Sequence, residues 1–254
     1  ADTKEWLEAS AQFGPLVKPI ITPRFVPSCT SELMSGLGNL AEAYNVPVQS
    51  HLSENHGEID WVAALHPEAA NYTDVYYEHH LIGKVPTVMA HCIHLSDVEM
   101  DRMAETQTMV SHCPYSNVNL SSGIAPIRKL FERKIPIGLG SDISGGHIVS
   151  MAKVLTEAIG LSKMKWVEVD QTYVPLTLSE AFYMATKGGG KFFGKVGSFE
   201  KGCELDALVI DDTTLFDPNE RSLEERLERW LYVGDDRHIV ERYVAGKVAP
   251  EPTI

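Results

Sequence analysis

Four residues have side chains suited to metal binding or acid–base chemistry: His51, Glu54, His91 and Asp142. The two histidines and Asp142 each follow a short apolar run, and Glu54 stands three residues after His51. Imidazole nitrogen and carboxylate oxygen are ligands that Zn²⁺ accepts, and a catalytic zinc keeps one position open for water. A nearby carboxylate that is not a ligand could move the proton of that water. The pattern predicts metal-assisted hydrolysis.

Each of these residues, taken alone, is also consistent with a hydrogen-bonded polar group at the end of a strand. A shared functional site is favoured because all four residues occupy comparable positions, at or just after the end of a predicted strand. The apolar runs that precede such polar residues are short and β-type, and segments with helical spacing separate them. The predicted strands are residues 18–22, 46–50, 87–90, 109–111 and 135–140.

Strands that alternate with helices predict parallel pairing, because a parallel connection needs a long crossover that a helix fills. Polar residues at the ends of several strands are typical of a (β/α) barrel, whereas an open sheet concentrates them at one switch point. The sequence therefore predicts an α/β fold with a TIM-like (β/α) barrel. The barrel is expected to be incomplete, because about five strands are visible where a closed barrel has eight.

The end of the chain has a different pattern. Two short β-type runs, residues 206–210 and 242–248, flank a charged helical stretch at residues 222–230. We expect residues 1–195 to form the C-terminal portion of the barrel. Residues 196–254 are expected to form a small β appendage with a connecting helix, part of a β-sandwich domain.

Composition narrows the function classes. The chain has 254 residues, with 22 Lys and Arg against 35 Asp and Glu, a net charge of −13. This balance argues against nucleic-acid binding, which needs clustered basic side chains. No apolar run reaches the length of a membrane span, and the four cysteines form no C-x-x-C pair, so a cytoplasmic protein is expected. The first residue is Ala1 rather than Met, which suggests that an N-terminal part was removed or not included.

Several segments resemble guanine deaminases of the amidohydrolase superfamily. The similarity extends over nearly the whole chain, and the Pro-Arg-Phe segment is the one that points to guanine. The segments are Thr22-Pro23-Arg24-Phe25, Ser50-His51-Leu52-Ser53-Glu54-Asn55, Ala90-His91-Cys92, Ser111-His112-Cys113-Pro114-Tyr115-Ser116-Asn117, Gly140-Ser141-Asp142, Gly197-Ser198-Phe199-Glu200-Lys201-Gly202 and Asp206-Ala207-Leu208-Val209.

The resemblance implies a zinc enzyme of purine catabolism that converts guanine and water to xanthine and ammonia. It implies that His51 and Asp142 are metal ligands and that Asp142 also holds the attacking water. Glu54 would carry protons between water and purine. His91 would stabilise the water and the charge that develops on the substrate.

The resemblance also assigns substrate contacts. Arg24 would donate hydrogen bonds to acceptors on the purine edge, a task suited to its rigid fork of donors, although a surface ion pair is the alternative. Phe25 would pack against the ring, and His51 and Glu54 would face the substrate from the catalytic side. A homodimer is the oligomeric state that the resemblance suggests.

One departure from the family pattern is large. The family places a His-x-His pair at the end of its first barrel strand, and this sequence contains no such pair. Two protein ligands fall short of the three that a catalytic zinc normally has. Two other interpretations therefore stay open: a sister aminohydrolase acting on a triazine, cytosine or an adenosine derivative, and a non-catalytic truncated form that acts through protein association.

Overall fold

The computed structural model describes residues 2–250. Backbone contacts divide the chain into two compact units. The first unit consists of Ala1–His112 and Ser121–Ile137, and the second of Cys113–Leu120 and Gly138–Ile254.

Three strands of a four-stranded parallel sheet lie in the first unit, and the fourth strand begins at Ile137, the last residue of that unit. Strand β1 pairs with β2 and β2 with β3, both in parallel, and the sheet has the order β1-β2-β3-β4. Within the described residues this sheet has four strands and does not close on itself. The strands are β1 (Val48–Leu52), β2 (Thr87–His91), β3 (Met109–His112) and β4 (Ile137–Leu139).

Helices connect these strands, as the alternating pattern predicts. Four of them begin at a Thr, Asn or Ser whose side chain accepts a hydrogen bond from the first turn, which satisfies an amide that the helix itself cannot. Ser96 and Glu99 form a capping box, in which each side chain accepts a hydrogen bond from the backbone N–H of the other residue. The helices of the first unit are α1 (Asp2–Ser10), a 3₁₀ turn (Val26–Ser28), α2 (Ser31–Tyr44), α3 (His56–Leu65), α4 (Tyr72–Glu78), α5 (Asp97–Thr106) and α7 (Ile127–Glu132).

The strands alternate in burial, so that one set of side chains enters the core while the other is partly accessible. In β1 the buried residues are Val48, Ser50 and Leu52. His51 therefore falls on the partly accessible side of β1. The register of this strand consequently decides that a histidine, and not an apolar residue, faces away from the core there.

The second unit contains helices and a small antiparallel sheet. Helix α8 packs against α10, and the Lys153 ammonium donates to the carbonyl oxygens of Leu231 and Tyr232. The elements are α6 (Pro114–Asn119), α8 (Met151–Glu168), α9 (Leu178–Tyr183), a π-helical turn (Met184–Gly188), β5 (Ala207–Ile210), α10 (Leu223–Val233), a 3₁₀ turn (Asp236–His238), β6 (Ile239–Val244) and β7 (Lys247–Val248). Even α8, at 18 residues, lacks the sustained hydropathy that a membrane-crossing helix needs, and the same holds for the other described helices.

Two predicted strands differ from the structure. In residues 18–22 only Ile21 pairs, in a single parallel bridge to Val48, because Pro19 and Pro23 have no N–H to donate to a neighbouring strand. The predicted strand at residues 242–248 is two strands, β6 and β7. Ala245 and Gly246, both with positive φ, form the turn between them.

Candidate active site

His51 lies near the end of β1 with its ring orientation set by the backbone. Its Nδ1 is 2.6 Å from the carbonyl oxygen of Arg24. Because a carbonyl oxygen can only accept, Nδ1 carries the proton and Nε2 is the nitrogen with a lone pair. A backbone carbonyl that fixes the tautomer in this way is the usual support for a metal-binding histidine.

Glu54 follows β1 and has three close neighbours, His91, Ser122 and Glu58. Its side chain is 16% exposed, and its Oε2 lies 3.7 Å from Nε2 of the buried His91. Its Oε1 accepts a hydrogen bond from the Ser122 hydroxyl at 3.0 Å. Its backbone N–H donates to Glu58 Oε2 at 2.9 Å. The carboxylate that the sequence predicts as a proton carrier therefore lies beside a histidine in a mostly buried position.

His91 ends β2 at a point where the backbone is strained. The φ angles of His91 and Cys92 are 70° and 52°, and Ser53 after β1 has a φ of 49°. Non-glycine residues in this region cost energy and concentrate at functional sites. The His91 ring stacks on His51 with centroids 5.4 Å apart. The two imidazoles, one on each of the paired strands β1 and β2, thus lie next to each other.

A buried polar network lies behind these residues. The Tyr76 hydroxyl donates to the carbonyl of His51 at 2.9 Å and lies 2.7 Å from the Ser50 hydroxyl, which is itself 2.8 Å from the carbonyl of Pro23. Burial raises the pKa of Tyr76 well above its ordinary value. The phenol therefore stays protonated and ties β1 to the segment that carries Arg24.

Arg24 and Phe25 lie just after the Ile21 bridge. The Arg24 side chain is exposed, and its guanidinium carbon is 5.6 Å from the centroid of the Phe25 ring. Phe25 in turn makes an edge contact with Trp61, with centroids 6.2 Å apart. An exposed guanidinium beside a half-buried aromatic ring is suited to a flat, polar-edged ligand.

Asp142 belongs to the second unit. Its φ is 44°, and the amide of Gly146 donates to its carbonyl oxygen at 2.7 Å. A Cβ at Gly145 would lie 2.6 Å from Asp142 Oδ2 and 2.6 Å from the Ser116 hydroxyl. Position 145 therefore needs glycine, since any larger residue would displace the carboxylate.

Comparison with known proteins identifies the family. The model of the Amidohydrolase family matches residues 4–249. The chain belongs to the amidohydrolase family. It is 43% identical to the guanine deaminase of Dictyostelium discoideum over 97% of this chain and 56% of that protein. It is 37% identical to the guanine deaminase of Escherichia coli K12 over 98% of this chain and 57% of that protein.

A solved structure is similar as well. The guanine deaminase of C. acetobutylicum with bound guanine in the active site superposes with a TM-score of 0.94 and 53% identity. The match covers 97% of this chain and 59% of that one. The chain thus spans a little over half the length of the curated relatives described above, and its fold is of the TIM-like barrel type.

His51 and Asp142 have side chains of the types that bind zinc, but a catalytic zinc needs more than two such ligands. His51 in the first unit has an Nε2 with a free lone pair by virtue of its Nδ1 contact, and Asp142 in the second unit has a carboxylate. Across residues 2–250, however, no cluster of three or more His, Cys, Asp or Glu side chains is arranged to hold a metal ion. A catalytic zinc requires about three protein ligands. Neither unit, among its described residues, therefore contains a complete zinc site.

The structure adds two residues to those chosen from the sequence. His112 ends β3, is fully buried, and its Nδ1 has no hydrogen-bond partner among the described residues. Burial, reinforced by the neighbouring His91, lowers the pKa of His112 to about 3. The position of His112 at the end of a predicted strand could have identified it from the sequence. Ser122, the partner of Glu54, has no such signal, because it follows no strand.

Proposed function

We propose that the intact protein containing this chain hydrolyses guanine to xanthine and ammonia. The observation that carries the proposal is the 2.6 Å contact of His51 Nδ1 with the Arg24 carbonyl, which joins the proposed metal ligand to the segment proposed to bind the substrate. The chain also belongs to a hydrolase family, and its relatives named above are guanine deaminases.

Glu54 would act as the proton carrier. Water adds through its oxygen to the ring carbon that bears the amino group, and one of its protons passes to the carboxylate. The proton is then returned to the amino nitrogen, which leaves as ammonia while the added oxygen stays on xanthine. His91, 3.7 Å from Glu54, would stabilise the negative charge that develops during the addition.

Zinc is proposed as the cofactor, held by His51 and Asp142 together with ligands beyond the described set. When bound, it would supply positive charge that makes a water molecule more acidic near neutral pH. The Nδ1 contact of His51 supports the assignment, because it leaves Nε2 as the ligating atom.

Arg24 and Phe25 are proposed to bind the purine. The guanidinium would donate to acceptor atoms on the purine edge, and Phe25 would contact the face of the ring. His51 and Glu54 would border the substrate on the side where water attacks. Guanine and water are thus the proposed small-molecule partners.

Four broader assignments belong to the same proposal. We propose a cytoplasmic location, since all four cysteines are free thiols, and no role in nucleic-acid binding, given the net charge of −13. A homodimer is proposed on the family resemblance. The proposed domain division is residues 1–195 as barrel and 196–254 as β appendage.

The test is a substrate panel with the intact purified protein. Xanthine and ammonia should appear in equal amounts from guanine, measured by chromatography and an ammonia assay. Cytosine, an adenosine derivative and a triazine should release ammonia far more slowly. Faster turnover of any of these three than of guanine would assign the protein to a sister activity instead.

A further inference from the structure

Ser122 contacts the proposed proton carrier from a distant part of the chain. Its hydroxyl donates to Glu54 Oε1 at 3.0 Å, across 68 positions of sequence. Ser122 is buried, with 6% of its surface exposed. An ionised carboxylate can only accept hydrogen bonds, so the direction of this contact is fixed and the serine supplies the proton.

The segment that carries Ser122 is itself anchored. The His94 ring donates from Nε2 to the carbonyl oxygen of Ser122 at 2.8 Å. The amide of His94 donates to the carbonyl of Ser53, the residue before Glu54. His94 therefore links the two chain segments whose side chains meet at the Glu54 carboxylate.

Gly123 allows this close approach. Its φ is +129°, and a Cβ there would lie 3.2 Å from Ile93 Cγ2 and 3.3 Å from His94 Cε1. A side chain at this position would be strained and crowded against the anchoring histidine. The loop is thus built so that the Ser122 hydroxyl reaches Glu54.

The two carboxylate oxygens of Glu54 meet different surroundings. Oε1 accepts from Ser122, whereas Oε2 lies 3.7 Å from His91 Nε2, outside hydrogen-bond range. The last torsion of a glutamate side chain is broad and weakly restrained. A hydrogen bond to one oxygen therefore sets the direction in which the other oxygen points.

We propose that Ser122 is a positioning residue that holds Oε1 of Glu54, so that Oε2 is the atom that takes and returns the proton. The proposal rests on the proposed function, in which Glu54 carries the proton. Loss of a hydrogen bond to a charged group is expected to lower kcat by about 10- to 100-fold. KM should change little, because the proposal assigns Ser122 a contact with Glu54 and none with the substrate.

The decisive comparison is Ser122→Thr against Ser122→Val in the intact protein. The two side chains have nearly the same shape and differ by the hydroxyl, so any crowding affects both alike. We expect kcat of the Thr variant to exceed that of the Val variant by at least about tenfold, with KM values within about twofold. Equal kcat values in two folded variants would overturn the proposal.

Ser162→Ala is the matched control. Ser162 is a buried serine whose hydroxyl bonds the backbone of Ile159 and Leu176, so its loss should lower stability and leave kcat unchanged. A fall in kcat as large as that of Ser122→Val would mean that general destabilisation explains both, and would also overturn the proposal.

The same experiment distinguishes failure of the proposed substrate, guanine, from failure of the proposed role of Ser122. If the intact protein deaminates a heterocycle other than guanine, the proposed substrate is wrong, and the Thr-to-Val ratio on that substrate still decides the role of Ser122. If it deaminates guanine with equal Thr and Val rates, only the role of Ser122 is wrong. An intact protein without aminohydrolase activity overturns both.

Discussion

The Glu54 carboxylate lies between His91 and Ser122, and the Glu54 side chain is only 16% exposed. Its mostly buried position and its two different neighbours are suited to a group that must gain and lose a proton in each turnover.

Glu54→Gln is expected to lower kcat of the intact protein by about 10²- to 10⁴-fold, because the amide keeps the shape but cannot accept the proton. Steady-state kinetics at matched zinc content measure the effect. Glu105→Gln, at a largely exposed carboxylate, is the control and should leave kcat unchanged. Intact activity in Glu54→Gln would contradict the role given to this residue.

His112 shows how burial changes proton binding. The folded protein keeps its imidazole neutral down to a pKa of about 3, whereas its ordinary value is 6.5. As pH falls from 6.5 towards 3, the unfolded chain takes up a proton that the folded chain does not. The free energy of unfolding therefore decreases over this window.

We expect His112→Gln to weaken this pH dependence. Between about pH 7 and about pH 5, the wild type should lose about 2 kcal/mol more of its unfolding free energy than the variant does. Urea unfolding at both pH values measures the difference. His80→Gln, at a partly exposed ring, should keep the wild-type dependence. Equal slopes for wild type and His112→Gln would show that His112 titrates normally.

At the scale of elements, the packing of a helix depends on how closely it approaches the backbone of its neighbours. Helix α2 contains two glycines that look alike in the sequence, Gly36 and Gly38. A Cβ on Gly36 would meet nothing within 4 Å, while one on Gly38 would collide with the carbonyl oxygen of His79. Only the second is required by packing.

The two glycines should respond to alanine in opposite directions. Gly36→Ala is expected to stabilise the intact protein by about 0.5–1 kcal/mol, because alanine favours the helix. Gly38→Ala should destabilise it by about 1–3 kcal/mol through overpacking. Urea unfolding midpoints compare them. Stabilisation by both substitutions would mean that α2 does not pack closely on His79.

For the whole molecule, the proposed zinc site raises the question of which ligands would complete it. Residues 1–254 supply His51 and Asp142, while the curated relatives compared with it are nearly twice as long as the region that they share with this chain. A metal held by two protein ligands alone is expected to exchange readily.

We therefore expect residues 1–254, expressed alone, to retain substoichiometric zinc after dialysis, whereas the intact protein retains about one per chain. Elemental analysis measures both, and circular dichroism checks that the shorter chain is folded. One tightly held zinc per folded 254-residue chain would contradict the incomplete site.

Much of the fold could be predicted because it depends on local pattern. Apolar runs, the Ser96–Glu99 capping box and the polar residues at strand ends are all readable within a few positions of sequence. The strand at residues 18–22 was a wrong prediction, since its apolar character is local but its pairing is limited by proline. The hairpin of β6 and β7 was missed because Gly246 lies inside a continuous β-type run.

The sequence by itself determined the kinds of side chain at the site and the alternation of strands and helices, because both are properties of neighbouring residues. The tertiary structure decided which distant groups meet: the Arg24 carbonyl with His51, and Ser122 with Glu54. Such contacts depend on packing and on backbone turns such as that of Gly123. They bring together residues whose spacing along the chain carries no periodic signal.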